Sequence, residues 1–203
     1  MDSREDMERL IFFEATREKA AANYARCPED ADNLTQWGGA LLELAHFRQG
    51  QDQLNMIEES ESKLREALAI NPKKHETLWC LGNSHTAHGF LLPDSGKANE
   101  YFKKASDCFK KALDEEPKSE LYMKSLEMSA KAPNVYVELQ RQVLSQQLGI
   151  GGSGSGSGAN LSAKGRKKKQ NNDFKYDVLG WAVLVLGVVA WLGMAKIAPP
   201  RAL

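Results

Sequence analysis

Residues 34–41, LTQWGGAL, and residues 78–85, LWCLGNSH, share the spacing that decides the fold. Each stretch begins with leucine and places a large apolar residue and then a glycine at its fourth and fifth positions. Further along, residues 60–72, SESKLREALAINP, match residues 105–117, ASDCFKKALDEEP, in their small, large apolar, alanine and proline positions. The two matches are offset by 44 and 45 residues, so the chain contains an internal repeat.

The repeated spacing is typical of a tetratricopeptide helix pair, in which small residues let two helices cross closely and a proline ends the second helix. The period exceeds the usual ~34 residues, and we place the extra length in longer helices around residues 48–55 and 92–100. Two repeats need caps, which the first helix and residues 120–131 would supply. The predicted fold is all-α, a tetratricopeptide-like helical hairpin array of two extended repeats with capping helices; the alternative is a generic helical bundle.

Helical periodicity extends over residues 3–148, where apolar side chains recur three and four positions apart and no run alternates with period two. Proline or glycine marks the expected helix ends. These ends are Cys27-Pro28, Gln49-Gly50, Asn71-Pro72, Pro93-Asp94, Glu116-Pro117 and Ala132-Pro133. They predict six or seven helices joined by short turns.

Charge is distributed unevenly along the chain. Residues 1–150 carry 25 acidic and 19 basic side chains, whereas residues 151–203 carry 2 and 8. An acidic body argues against nucleic acid as a partner, because phosphate binding requires clustered lysine and arginine on the folded domain. The acidic N-terminus is neither a secretory signal nor an arginine-rich transit peptide.

Cysteine and histidine spacing gives no sign of a metal site. Cys27, Cys80 and Cys108 are odd in number and never form a C-x-x-C pair, so we expect reduced thiols rather than a zinc site or a disulfide framework. His85 and His88 are three apart and could share a metal ion, but no third ligand lies nearby in the sequence. We therefore expect neither a metal nor a cofactor.

The C-terminal quarter changes character. Residues 149–158 are rich in glycine and serine, either as natural low complexity or as a cloning linker, and a basic run follows at residues 164–169. The predicted division of the chain is a cytosolic helical domain at 1–148, a flexible linker at 149–174, a transmembrane anchor at 175–198 and a short tail at 199–203.

The predicted anchor rests on residues 178–195, which contain no charged side chain. As a helix they would extend about 27 Å, close to the ~30 Å hydrocarbon core of a bilayer. Trp181 and Trp191 lie toward the two ends, where tryptophan favours the membrane interface. We therefore expect one C-terminal transmembrane helix, inserted after translation, with the basic run and the acidic body in the cytosol.

Four stretches carry a closer resemblance. They are DADNLTQWGGALLEL (30–44), NPKKHETLWCLGNSHT (71–86), YMKSLEMSAKAP (122–133) and KYDVLGWAVLVLGVVAWLGMAK (175–196). In these, the chain closely resembles the plant-type 20-kilodalton receptor subunit of the translocase of the outer mitochondrial membrane. The basic linker is the weakest match, and residues 149–158 depart from the pattern.

This resemblance implies a mitochondrial import receptor that binds presequences of nuclear-encoded precursors and passes them to the translocation channel. The implied partners are presequence peptides, other translocase subunits and the lipid bilayer, with no nucleic acid. The implied location is the outer mitochondrial membrane, single-pass, with the N-terminal domain in the cytosol.

A presequence is amphipathic, rich in arginine and poor in acids, so its receptor should offer an apolar groove with acidic surroundings. In stacked helix pairs the first helix of each pair lines the concave face. Helical spacing places six candidate presequence-binding residues there. They are Leu42, Glu43, Trp79, Asn83, Thr86 and Phe90.

Two other binding functions compete with this interpretation. A chaperone-docking clamp needs a basic residue and an asparagine on the first-repeat groove, where Thr35 and Gly39 stand instead. Composition does not exclude a tail-anchored adaptor that recruits a cytosolic partner, as in mitochondrial fission. An enzyme is not expected, because no phosphate loop, nucleophile elbow, H-E-x-x-H or paired cysteine motif occurs.

Overall fold

The protein is described here by a computed structural model, which describes residues 3–147 and shows six α-helices within them. The helices are α1 (Ser3–Tyr24), α2 (Ala31–Ala45), α3 (Gly50–Ile70), α4 (His75–Leu91), α5 (Ser95–Glu115) and α6 (Glu120–Gln147). Short turns join them. Six helices agree with the number predicted from the helix-ending residues.

The two halves of the repeat use the same close crossing of helices. Helix α2 packs against α3 and α4 packs against α5. A Cβ atom added to Gly38 would lie 2.5 Å from Cγ of Leu64, and one added to Gly82 would lie 2.5 Å from Cε1 of Phe109. Because only glycine allows this approach, the repeated glycines lie at equivalent close crossings in the two helix pairs.

The second helix of each pair is long, and its inner face is built from the repeated residues. Helices α3 and α5 have 21 residues each and begin at Gly50 and Ser95, so the extra length lies where the sequence predicted it. The small, large and alanine positions of the repeat are all buried. They are Ser60, Leu64 and Ala67 on α3, and Ala105, Phe109 and Ala112 on α5.

Helix α4 lies in the middle of the fold and is buried on almost every side, including all of residues 77–86. Neighbouring helices cover α4 and the equivalent helix of the first pair, α2. Helix α1 packs on α2, and the first turns of α6 reach α4 through a hydrogen bond from Trp79 Nε1 to Ser125 Oγ at 2.9 Å. The expected capping positions are therefore filled by α1 and by the start of α6.

Pro133 does not end a helix, which corrects the stop predicted at Ala132-Pro133. Helix α6 runs through it, from Glu120 to Gln147. A proline removes one backbone hydrogen bond and clashes with the preceding turn, but neither effect forces the chain to stop. The chain divides at this point: the first compact unit ends at Pro133, and of the second, which begins at Asn134, only the remainder of α6 is described.

The expectation of a transmembrane helix is also corrected. Among residues 3–147 no helix is both long and apolar enough to cross a membrane. The two most apolar helices, α2 and α4, have only 15 and 17 residues, and the longer ones carry charged side chains along their length. The fold that the structure supports is therefore all-α with six helices and no such span in its described part.

Several predicted segments lie outside the described residues. They are the linker at 149–174, the anchor at 175–198 with Trp181 and Trp191, and the tail at 199–203. The predicted domain boundary at residue 148 also lies outside the described residues.

Candidate functional site

Glu43 is the most unusual of the six candidate residues. It lies near the end of α2, its side chain is only 1% exposed, and its Oε2 atom accepts a hydrogen bond from Arg9 Nη2 of α1 at 2.7 Å. Its other carboxylate oxygen, Oε1, is buried and has no hydrogen-bond partner among the described residues. Burial raises the pKa of Glu43 to about 7, although the positive charge of Arg9 and its hydrogen bond oppose that rise.

An aromatic ring completes the surroundings of the Arg9 guanidinium. Its Cζ atom lies 5.9 Å from the ring centroid of Phe47, within the range of a cation-π contact. Helix α2 ends at Ala45, and the carbonyl end of a helix dipole attracts positive charge. We call Glu43, Phe47 and this end of α2 the arginine slot, because its three features all favour a guanidinium.

Leu42 points into the interior beside the slot. It forms a buried cluster with Ala45 and Ile57, against which Met56 and Ala87 pack. This cluster joins α2, α3 and α4. Leu42 is therefore a packing residue in this structure, and its contact with a ligand stays a prediction.

The four candidates on α4 are held by the chain's own side chains. Trp79 and Thr86 are buried and hydrogen-bonded, Trp79 to Ser125 and Thr86 through its Oγ1 to the Gly82 carbonyl at 2.9 Å. Asn83 is also buried, while Phe90 is half-buried with its ring centroid 5.0 Å from that of Phe102. The six residues thus lie on the two predicted helices, but five of them are covered, and a ligand contact at any of them stays a prediction.

A buried carboxylate that the sequence analysis missed lies between the two repeats. Oε1 of Glu61 lies 3.0 Å from Nδ1 of His85 and 3.0 Å from Nδ1 of His88, while Arg65 pairs with the other oxygen. Burial alone would raise the pKa of Glu61, but the two histidine hydrogen bonds outweigh it and lower the pKa to about 2. Both histidines therefore serve to join α3 to α4.

The exposed apolar side chains near the slot belong to α1. Met7, Ile11 and Phe12 are 55%, 61% and 48% exposed, whereas Phe13 on the opposite side is buried. The first turns of α1 thus keep an apolar surface in solvent, while Arg9 on the same turns reaches the buried Glu43. No sequence pattern paired these residues with α2, since Arg9 and Glu43 are 34 positions apart.

Comparison with known proteins decides the family. The sequence profile described as "Plant specific mitochondrial import receptor subunit TOM20" matches residues 7–196. The chain belongs to this TOM20 family. Its members are mitochondrial import receptor subunits, and the resemblance noted in the sequence is confirmed.

Curated relatives in the TOM20 family cover nearly the whole chain. Mitochondrial import receptor subunit TOM20-3 of Arabidopsis thaliana is 43% identical over 99% of this chain and 100% of its own length. Subunit TOM20-2 of the same plant is 47% identical, covering 96% and 95%, and TOM20-4 is 44% identical, covering 98% of each. The TOM20 family is one of import receptors and is not an enzyme family.

Proposed function

We propose that this TOM20-family protein binds the presequences of nuclear-encoded precursors and passes them to the translocase channel. Its helical domain does so from the cytosolic side of the outer mitochondrial membrane, in company with other translocase subunits. No reaction and no cofactor is assigned to it. The observation that carries this proposal is the arginine slot, because it already holds the arginine of a neighbouring helix.

The chemistry of the slot matches that of a presequence. A basic amphipathic helix brings guanidinium groups on one face and apolar side chains on the other. Glu43 and Phe47 suit the guanidinium, and α1, the helix whose arginine now occupies the slot, also carries exposed apolar side chains. Exposed charge pairs contribute only about 0–1 kcal/mol each, so the acidic body should speed association more than it tightens binding.

The direct test is a fluorescence anisotropy titration of the full chain with a labelled 20-residue amphipathic peptide that has four arginines and no acidic residue. The control is a scrambled peptide of the same composition, which cannot form an apolar face. We expect binding of the first peptide only, weakening several-fold as salt rises from 50 to 300 mM because surface charges are screened. Equal binding of both peptides, or none, would contradict a presequence receptor.

A further inference from the structure

We propose that the first turns of α1 act as a resident ligand of the arginine slot, and that an incoming basic helix must displace them by offering its own arginine to Glu43. This inference rests on the proposed function and adds a regulation of the same site. The protein would then be partly self-inhibited, with Arg9 competing against cargo.

The contacts of α1 are divided unequally between its two ends. The C-terminal half is held firmly, by Tyr24 OH donating to Glu66 at 2.5 Å and by Asn33 Nδ2 donating to the Ala20 carbonyl at 2.8 Å. Among residues 3–12 as described, Arg9 alone forms a hydrogen bond or ion pair with another helix. The N-terminal half can therefore leave α2 while the C-terminal half stays in place.

Releasing these first turns from α2 would expose little additional apolar surface. Met7, Ile11 and Phe12 are already about half exposed or more and Leu10 is only partly buried, so these side chains gain limited additional contact with water when the helix moves away. The main loss is the ion pair, whose arginine is itself 28% exposed. A competing ligand needs to replace one interaction rather than a whole interface.

Glu43 can accept a further hydrogen bond from an incoming ligand. Arg9 donates to its Oε2 atom alone, while the buried Oε1 has no hydrogen-bond partner among the described residues. A guanidinium that approaches both oxygens forms a stronger, two-bond pair. Glu5, Asp6 and Glu8 also make α1 a poor match for an acidic surface, whereas a presequence lacks such acids. Cargo should therefore compete effectively with the resident helix.

The test compares Arg9→Gln with Arg4→Gln in the full chain, using the amphipathic arginine peptide of the anisotropy experiment. Both variants lose one positive charge from α1, but among residues 3–147 Arg4 pairs only with exposed Glu8 on the same helix. We expect Arg9→Gln to bind about five- to tenfold more tightly than the parent, because the binding-competent fraction rises. Arg4→Gln should bind as the parent does.

A second measurement needs no substitution. Hydrogen exchange in the unmodified chain should accelerate at residues 3–12 when the peptide is added, and should stay unchanged at residues 16–24. If the circular dichroism of Arg9→Gln shows less helix than that of the parent, the hydrogen-exchange result alone tests the resident-ligand proposal.

Two failures are distinguishable. If the parent does not bind the amphipathic peptide at all, the proposed function falls, and this inference with it. If the parent binds but Arg9→Gln binds no more tightly than Arg4→Gln, or residues 3–12 keep their protection on binding, the resident-ligand inference alone is overturned.

Discussion

Gly82 contributes to stability through the absence of a side chain. A methyl group there would lie 2.5 Å from Cε1 of the buried Phe109, so Gly82→Ala must displace a ring in the core. Overpacking of this kind typically costs about 1–3 kcal/mol. We expect Gly82→Ala to lower the thermal midpoint by several degrees, measured by circular dichroism.

Gly39 provides a matched control within the first repeat. A Cβ atom at Gly39 has nothing within 4 Å. Alanine is favoured over glycine inside a helix by about 1 kcal/mol, so Gly39→Ala should be neutral or stabilising. Equal destabilisation by both substitutions would show that the close crossing of α4 and α5 is not as described.

Glu61 should make the folded state sensitive to acid. Its pKa falls from an ordinary 4.5 to about 2, so its contribution is present above pH 4.5 and lost as the pH falls toward 2. That contribution is at most about 3 kcal/mol. In chemical denaturation, Glu61→Gln should be less stable than the parent at pH 5 and should lose stability less steeply below pH 4.5.

The control for this experiment is Glu59→Gln on the exposed side of the same helix, which should keep the parent's acid profile. An unchanged acid slope in Glu61→Gln would contradict the described pairing with His85 and His88. The sequence did not reveal this pairing because the partners lie 24 and 27 positions away on another helix.

The spacing of residues within the repeat determines which residue contacts could be predicted from the sequence. Gly38 and Gly82, and their partners Leu64 and Phe109, follow from a repeat that is visible in the chain itself. The sequence does not predict which residue pairs with Glu43, since the chain contains several arginines and spacing does not distinguish among them. The six candidates do lie on α2 and α4, but helical spacing could not show which neighbours cover them.

Helix α6 shows the same limit at the scale of one element. Proline was expected to end the helix, yet residues on both sides of Pro133 remain helical. The missing N–H leaves the Ser129 carbonyl without its usual helical partner. The neighbouring sequence contains good helix formers, so the helix continues in spite of that loss.

Replacing Pro133 with alanine should therefore stabilise α6. Alanine restores the lost hydrogen bond and is favoured over proline in a helix interior by up to about 3 kcal/mol. We expect Pro133→Ala to raise the thermal midpoint by several degrees. Pro117→Ala is the control, because Pro117 lies in the turn before α6, where the rigid ring limits the freedom of the unfolded chain.

Pro117→Ala should leave the thermal midpoint unchanged or slightly lower. A decrease in Pro133→Ala would instead show that the proline is required by packing around it.

At the scale of the whole molecule, the chain itself covers parts of α2 and α4, the first helix of each pair. Helix α1 lies over the end of α2, and the start of α6 lies against α4 at Trp79. The family establishes that this molecule is an import receptor subunit. How it receives cargo then depends on which of these two covering segments can move. The first turns of α1 are held by fewer polar contacts than its C-terminal half.

Photo-crosslinking locates the cargo most directly. The amphipathic arginine peptide, carrying a photoreactive group beside its central arginine, is irradiated with the full chain, and the linked residues are found by mass spectrometry. We predict crosslinks at the end of α2, within residues 42–48, which disappear with the scrambled peptide. Crosslinks confined to the outer face of α5, or the same pattern from both peptides, would contradict binding at the arginine slot.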